Sequence, residues 1–269
     1  MLKDILVHVD DPEKCAALDT AIGLAQRFNA HLSGLHVTSL FHYVAAKDVY
    51  VAGLWEASKD ELRAAAQRAK ERFAGATARA GINGEWHHVD GDAATVIGDY
   101  GRVVDLIVMG QPAENASPVT RDVADKLPLT TGRPVLYVPP GFSGSPGTSI
   151  LVAWNDSREA ARAVNDALPL LVRAEHVIIM AVAAPDGDNE FPCADIAAHL
   201  ARHGVQAVAA RDWASDNRVG DRLLEQAARQ KADLIVAGAY GHSRLKEIVL
   251  GGVTRHMFRH APMPVLMSH

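Results

Sequence analysis

The chain has 269 residues, of which 48% are hydrophobic and 22% charged, and a formal net charge of −5. That length admits one large domain or two ordinary ones, with enough apolar material to form cores without disulfide or metal staples. The acidic balance gives no electrostatic reason to expect nucleic acid as a partner, and no apolar run reaches the length of a membrane span.

In chain order, residues 5–9 (ILVHV) form a short, β-branched-rich run of the kind buried in a parallel sheet. The run is too short for a signal-peptide core and is broken by Asp10 and Asp11. Asp11 is the expected N-cap of a helix with Pro12 in its first turn, and Leu18, Ile22, Ala25 and Phe28 form its buried stripe. A second strand is expected over 31–37 and a long Ala/Arg/Lys/Glu-rich helix over 58–81, stopped at Gly81. Residues 84–90 read as a third strand, 92–104 as a helix, 105–110 as a fourth strand and 134–139 as a fifth.

The order then repeats. Ile5 in DILVHVDD corresponds to Ile150 in SILVAWND, Val37 to Val182, Gly110 in VDLIVMG to Gly238 in ADLIVAG, and Pro134 in PVLYV to Pro264 in PVLMS. Helices are expected over 193–204, 219–232 and 252–261, and strands over 176–183 and 206–213. The first copy is longer between its second and fourth strands, a surplus that includes 41–57. A Pro/Gly/Ser linker, 139–148, separates the copies. The domains therefore read as 1–140 and 148–269. Strands alternating with helices predict an α/β fold in which helices flank a parallel sheet.

In open parallel sheets ligands bind beyond the carboxyl ends of the strands. Gly238 and Gly241 lie just past such an end, and Gly251 and Gly252 open the last helix. Glycine lets backbone approach a ligand closely, and a helix N-terminus presents free N–H groups to an anion. The cluster thus reads as two walls of a phosphate cradle, with Thr254 as a hydroxyl donor and His242, Arg244 or Arg255 supplying charge. Equally, glycines in these places mark ordinary turns and caps. Neither a P-loop nor a dinucleotide fingerprint is present.

The run ILVxxD, then GAYGHSRLKEIVLGGVTRH, then APMPVLMSH resembles the universal stress protein family, over nearly the whole chain as two units in tandem. The resemblance implies two five-stranded parallel-sheet α/β sandwich domains of the adenine nucleotide alpha hydrolase-like type. Many members of that family bind ATP through G-x2-G-x9-G followed by Ser or Thr. Carried over, the nucleotide residues of unit two are Asn155, Val182, Gly238, Gly241, His242, Gly251, Gly252, Val253 and Thr254. Those of unit one are Asp10, Val37 and Gly110. Unit one departs further from the pattern, having Ala113 in the second glycine position and no glycine in SPVTRDVADK. Unit two has Gly252 where Ser or Thr belongs and Asn155 where Asp belongs. Asn still bonds a ribose hydroxyl, with neutral strength.

Other constellations admit plainer readings. His256 and His260 share a helix face, which suits an interface or a solvated surface before it suits a metal. His87 and His88 point to opposite faces of a strand, and His8 and His36 suit satisfied core positions. Cys15 and Cys193 have no ligand spacing and suit a reducing, cytoplasmic setting. Asp10 and Asp11 are placed either to hold Mg²⁺ with a nucleotide or to cap a helix. No nucleophile elbow is present, and ATP hydrolysis without a dedicated base would be slow. Three functions compete: an adenine-nucleotide-dependent regulatory module binding ATP with or without Mg²⁺ and acting on a protein partner, a non-nucleotide interaction module, and a weak ATPase. The apolar terminal strands 134–138 and 264–268 are expected to pair, making a covalent pseudo-dimer. Tyr43, Tyr50 and Trp55 are candidate anchors for a further homodimer.

Overall fold

The β-branched runs become strands whose centres are sealed from water, and the helical patterns fold over them. The structure is a computed structural model that describes residues 1–9, 15–39, 52–112, 118–183, 193–215, 218–241 and 252–269, with backbone alone over 52–58 and 118–119. It divides into two compact units, Met1–Arg133 and Pro134–His269.

Unit one holds strands β1 (Asp4–His8), β2 (His31–Thr38), β3 (Gly84–Asp90) and β4 (Leu106–Gly110). They are parallel, in the order β3-β2-β1-β4, with Ile5 set beside Leu32 on one side and Leu106 on the other. The described helices are α1 (Ala16–Phe28), α2 (Ala52–Ala80), α3 (Ala93–Gly101) and α4 (Pro118–Thr130). The expected stripe Leu18, Ile22, Ala25 and Phe28 is buried. Helix α1 stops at Asn29, whose left-handed φ of 49° suits a helix C-terminus. Its expected opening at Asp11 and Pro12 lies outside the described residues. Helix α2 begins at Ala52, earlier than Ser58, because Ala52, Leu54, Glu56 and Ala57 favour a helix strongly enough to carry Gly53. The surplus 41–57 is therefore helical in its last part. Trp55 lies within α2, but its side chain, like Tyr43 and Tyr50, is outside the described residues. Helix α3 is capped by Asp92, which accepts from the Thr95 N–H at 2.9 Å. It ends at Gly101 and not Val104, where the chain turns back with the Val104 N–H on the Gly101 carbonyl.

Unit two holds β5 (Val135–Val138), β6 (Ser149–Ala153), β7 (His176–Ala183), β8 (Ala207–Trp213), β9 (Leu234–Gly238) and β10 (Val265–Ser268). Its order is β5-β10-β9-β6-β7-β8, parallel throughout except for β5. The described helices are α5 (Arg158–Leu171), α6 (Cys193–Arg202), α7 (Val219–Arg229) and α8 (Val253–His260). Although β5 closes the first sequence repeat, it belongs to this compact unit. It runs antiparallel to β10, Leu136 opposite Leu266, and the buried Tyr137 ring meets Phe258 edge-on at 4.5 Å. The expected pairing of the two terminal strands is thus present.

The recurring DLIV has a structural reason. In unit one the Asp105 carboxylate accepts from the N–H groups of Lys3 and Asp4 at 2.6 and 3.1 Å. In unit two Asp233 accepts from Gly147, Thr148 and Ser149 at 2.8–3.2 Å. Asp105 ties the start of β1 to β4, and Asp233 ties the start of β6 to β9. Among the described residues no helix is long and apolar enough to cross a membrane.

Candidate functional site

At the carboxyl end of β6 the chain leaves the sheet through Trp154, which is buried, and Asn155, which is exposed. Asn155 does not stand free. Its Oδ1 accepts from the Ser157 hydroxyl at 2.7 Å and the Ser157 N–H at 3.3 Å, a local turn that leads into α5. Ser157 then caps α5 by accepting from the Ala160 N–H at 3.1 Å.

The next side chain of consequence is Glu159, only 3% exposed. Burial by itself would raise its pKa. The hydrogen bond from Arg158, its own backbone N–H, the charge of Arg158 and a smaller electrostatic contribution from His269 outweigh burial, so the carboxyl sits below its ordinary value and is ionised. Its place in the first turn of α5 suits a negative charge.

Opposite lies the loop that follows β9. A Cβ on Gly238 would lie 2.6 Å from the Ala160 nitrogen and the Glu159 carbonyl carbon, both backbone. A Cβ on Gly241 would lie 3.0 Å from Glu159 Oε2 and 3.3 Å from the Ser157 hydroxyl. Both glycines therefore let this loop close onto the α5 N-terminus. Between them Tyr240 adopts a left-handed φ of 57°. The Tyr240 N–H donates to the Thr254 hydroxyl at 3.2 Å, which ties the loop to α8. The Ala239 N–H donates to the Ser268 carbonyl, and the His269 ring N–H donates to the Ala239 carbonyl at 2.8 Å.

Helix α8 opens at Gly252 with no side-chain cap, followed by half-buried Val253 and buried Thr254. Its first N–H groups are the kind that a helix N-terminus offers an anion. Val182 is half-buried in β7, in register with Asp212 of β8. The described geometry thus brings Gly238, Gly241 and Thr254 together, and places Asn155 on the loop whose Ser157 and Glu159 face Gly241. His242 and Gly251 lie outside the described residues. An adenine nucleotide fits this end in part. The α8 N-terminus suits a phosphate, whereas the Gly238–Gly241 notch already holds a carboxylate. Sequence reasoning passed over Ser157, Glu159 and His269. Ser157 carried a capping signal, but Glu159 two residues on reads as an ordinary first-turn acid. Only the fold sets it against the glycines.

In unit one Asp10 is outside the described residues, Val37 is half-buried on β2, and no described atom lies within 4 Å of where a Cβ on Gly110 would point. His36 is a buried, satisfied histidine whose Nδ1 donates to the Val9 carbonyl at 2.8 Å. His88 bonds the Thr38 hydroxyl at 2.8 Å, while His87 faces Tyr100 across 5.0 Å, so the two neighbours do take opposite faces. Cys15 is half-buried at the head of α1. Burial pushes the Cys193 thiol up, away from a reactive thiolate.

On the outer side of unit two, α7 and α8 line a groove of about 560 Å³ with Arg218, Asp221, Glu225, His256 and His260. The two histidine rings lie 4.6 Å apart, and His256 Nε2 is 3.1 Å from an Asp221 oxygen. Burial, aided by His260 and opposed by Asp221, holds the His256 pKa below its ordinary value. Among the described residues no group of three or more His, Cys, Asp or Glu side chains could hold a metal ion.

An α/β unit that occurs twice, its second copy carrying a glycine loop after β9 with a helix opening beside it, defines the class. The universal stress protein family model matches residues 1–138 and again 148–269, and the chain belongs to that family. Among solved structures it is similar to a universal stress protein from Archaeoglobus fulgidus DSM 4304, at 19% identity and a TM-score of 0.76, covering 98% of this chain and 95% of that one. It is also similar to a functionally unknown protein from Pseudomonas aeruginosa PAO1, at 17% identity and a TM-score of 0.61, covering 99% and 92%. At such identities the likeness concerns the fold. No curated protein matches the sequence.

Proposed function

We propose that unit two binds an adenine nucleotide, ATP or a close relative with or without Mg²⁺, and that occupancy changes a surface read by a protein partner. The observation that supports this most is the α8 N-terminus at Gly252, without a side-chain cap among the described residues and held beside the Gly238–Gly241 loop by the Tyr240–Thr254 hydrogen bond. Family membership of both halves agrees with it. In this reading Thr254 supplies the hydroxyl that Gly252 lacks, and Asn155 takes the ribose side. The chain acts as a pseudo-dimer in the cytoplasm and associates with a second copy.

A second reading, an interaction module without nucleotide, has its own support. Gly238 and Gly241 are accounted for by their approach to α5, whether or not a phosphate binds. A weak ATPase needs a base placed near a water, and no described residue has been placed in that role.

The test is to purify the protein without added ligand, denature it and chromatograph the supernatant for nucleotide, then titrate ATP and AMP. Val253→Asp is the informative variant. A carboxylate in the first turn of α8 favours the helix by about 0.3–1 kcal/mol but repels a phosphate. Nucleotide binding should fall about tenfold or more while the melting temperature holds or rises. Binding unchanged in this variant removes the α8 cradle, and no nucleotide in any test favours the interaction module.

A further inference from the structure

We propose that the Glu159 carboxylate is the resident anion of the Gly238–Gly241 notch, and that it sets the charge of the ligand unit two accepts there: a neutral or singly charged group in preference to a bare polyphosphate chain. The inference rests on the adenine-nucleotide reading and narrows it.

A phosphate approaches a glycine pair through the space that side chains would otherwise fill. Here that space has an owner. The Cβ side of Gly238 is filled by α5 backbone, at 2.6 Å from the Ala160 nitrogen, so nothing else enters. The Cβ side of Gly241 faces Glu159 Oε2 at 3.0 Å and the Ser157 hydroxyl at 3.3 Å. Glu159 has little freedom to withdraw, since its side chain is 4% exposed, is bonded by Arg158 and sits in the first turn of a 14-residue helix. Arg158, with a smaller contribution from His269, offsets the charge only in part, because the Arg158 side chain is 82% exposed and its guanidinium is largely screened by water. An incoming anion therefore meets a fixed negative charge in a semi-buried setting, where repulsion is several times stronger than in bulk water. The penalty grows with the ligand's charge and vanishes for an uncharged nucleoside.

The experiment is calorimetric titration of adenosine, AMP and ATP in divalent-free buffer, on the wild type and on Glu159→Gln, which keeps the shape and removes the charge. The wild type should bind ATP no more tightly than adenosine. In Glu159→Gln, ATP should tighten about tenfold or more, AMP less, and adenosine should stay within about twofold. The ATP gain should shrink at high salt. A wild type that prefers ATP to adenosine by more than about tenfold overturns the proposal, and this holds even if the variant does not fold. So does a variant whose ATP-to-adenosine ratio is unchanged. In either case the adenine reading stands, because adenosine still binds. If neither protein binds any of the three, both this proposal and the nucleotide reading fall.

Discussion

Glu159 is the residue whose chemistry departs furthest from its appearance in the sequence. In SREAARAV it is one acid in the first turn of an amphipathic helix, yet folded it is a buried, ionised carboxylate facing a glycine loop. Its pKa is held below the ordinary 4.5 by Arg158, its own N–H and His269, against the opposing effect of burial. The sign follows from proton linkage. The unfolded chain takes up the proton first as pH falls, so the stability Glu159 contributes is complete above pH 4.5 and is lost as pH drops through the lower folded value. Urea unfolding followed from pH 7 downward should show this loss in the wild type, and Glu159→Gln should lack that part of it. A variant with the same acid profile as the wild type would place the effect on other carboxylates. Asn155 tells a related story. The position was legible from the repeat, but its engagement with Ser157 was not, because a side-chain turn of two residues leaves no periodic trace.

At the scale of elements, period and propensity carried most of the reading. The stripe of α1 and the strands of both repeats stand where pattern puts them, to within about a residue at their ends. The misses were α4, over which no helix was expected, and helix ends, α2 beginning at Ala52 and not Ser58 and α3 stopping at Gly101 and not Val104; ends are where local signals are weakest. The DLIV repeat shows what an element needs beyond its own residues. Asp233 collects the N–H groups of Gly147, Thr148 and Ser149 where the strand opens. Asp233→Ala should destabilise unit two by about 1.5–3 kcal/mol, the range for hydrogen bonds to a charged group. Hydrogen exchange should speed first at β6 and β9, and a variant within 0.5 kcal/mol of wild type, roughly the noise of a surface substitution, would show these bonds to be incidental.

For the molecule as a whole, sequence repeats and compact units do not share a boundary. The last strand of the first repeat is folded with the second, antiparallel to β10. Tyr137, fully buried and in contact with Phe258, gives that strand its anchor. Tyr137→Ala should therefore cost about 3–5 kcal/mol, as large aromatic truncations do. The loss should appear as faster exchange at Val265–Met267, with β1 to β3 spared. Faster exchange confined to β1 to β3 would return the strand to unit one.

The sequence by itself determined the α/β class, the duplication, the succession of strands along the chain and the positions of the glycines. These are properties of spacing, and burial of period-two and 3.6-period faces leaves few other ways to fold. Only the tertiary structure decided what the glycines face and where β5 pairs. Both depend on contacts between residues far apart in the chain, Gly241 with Glu159 and Leu136 with Leu266, and such contacts have no signature in local pattern.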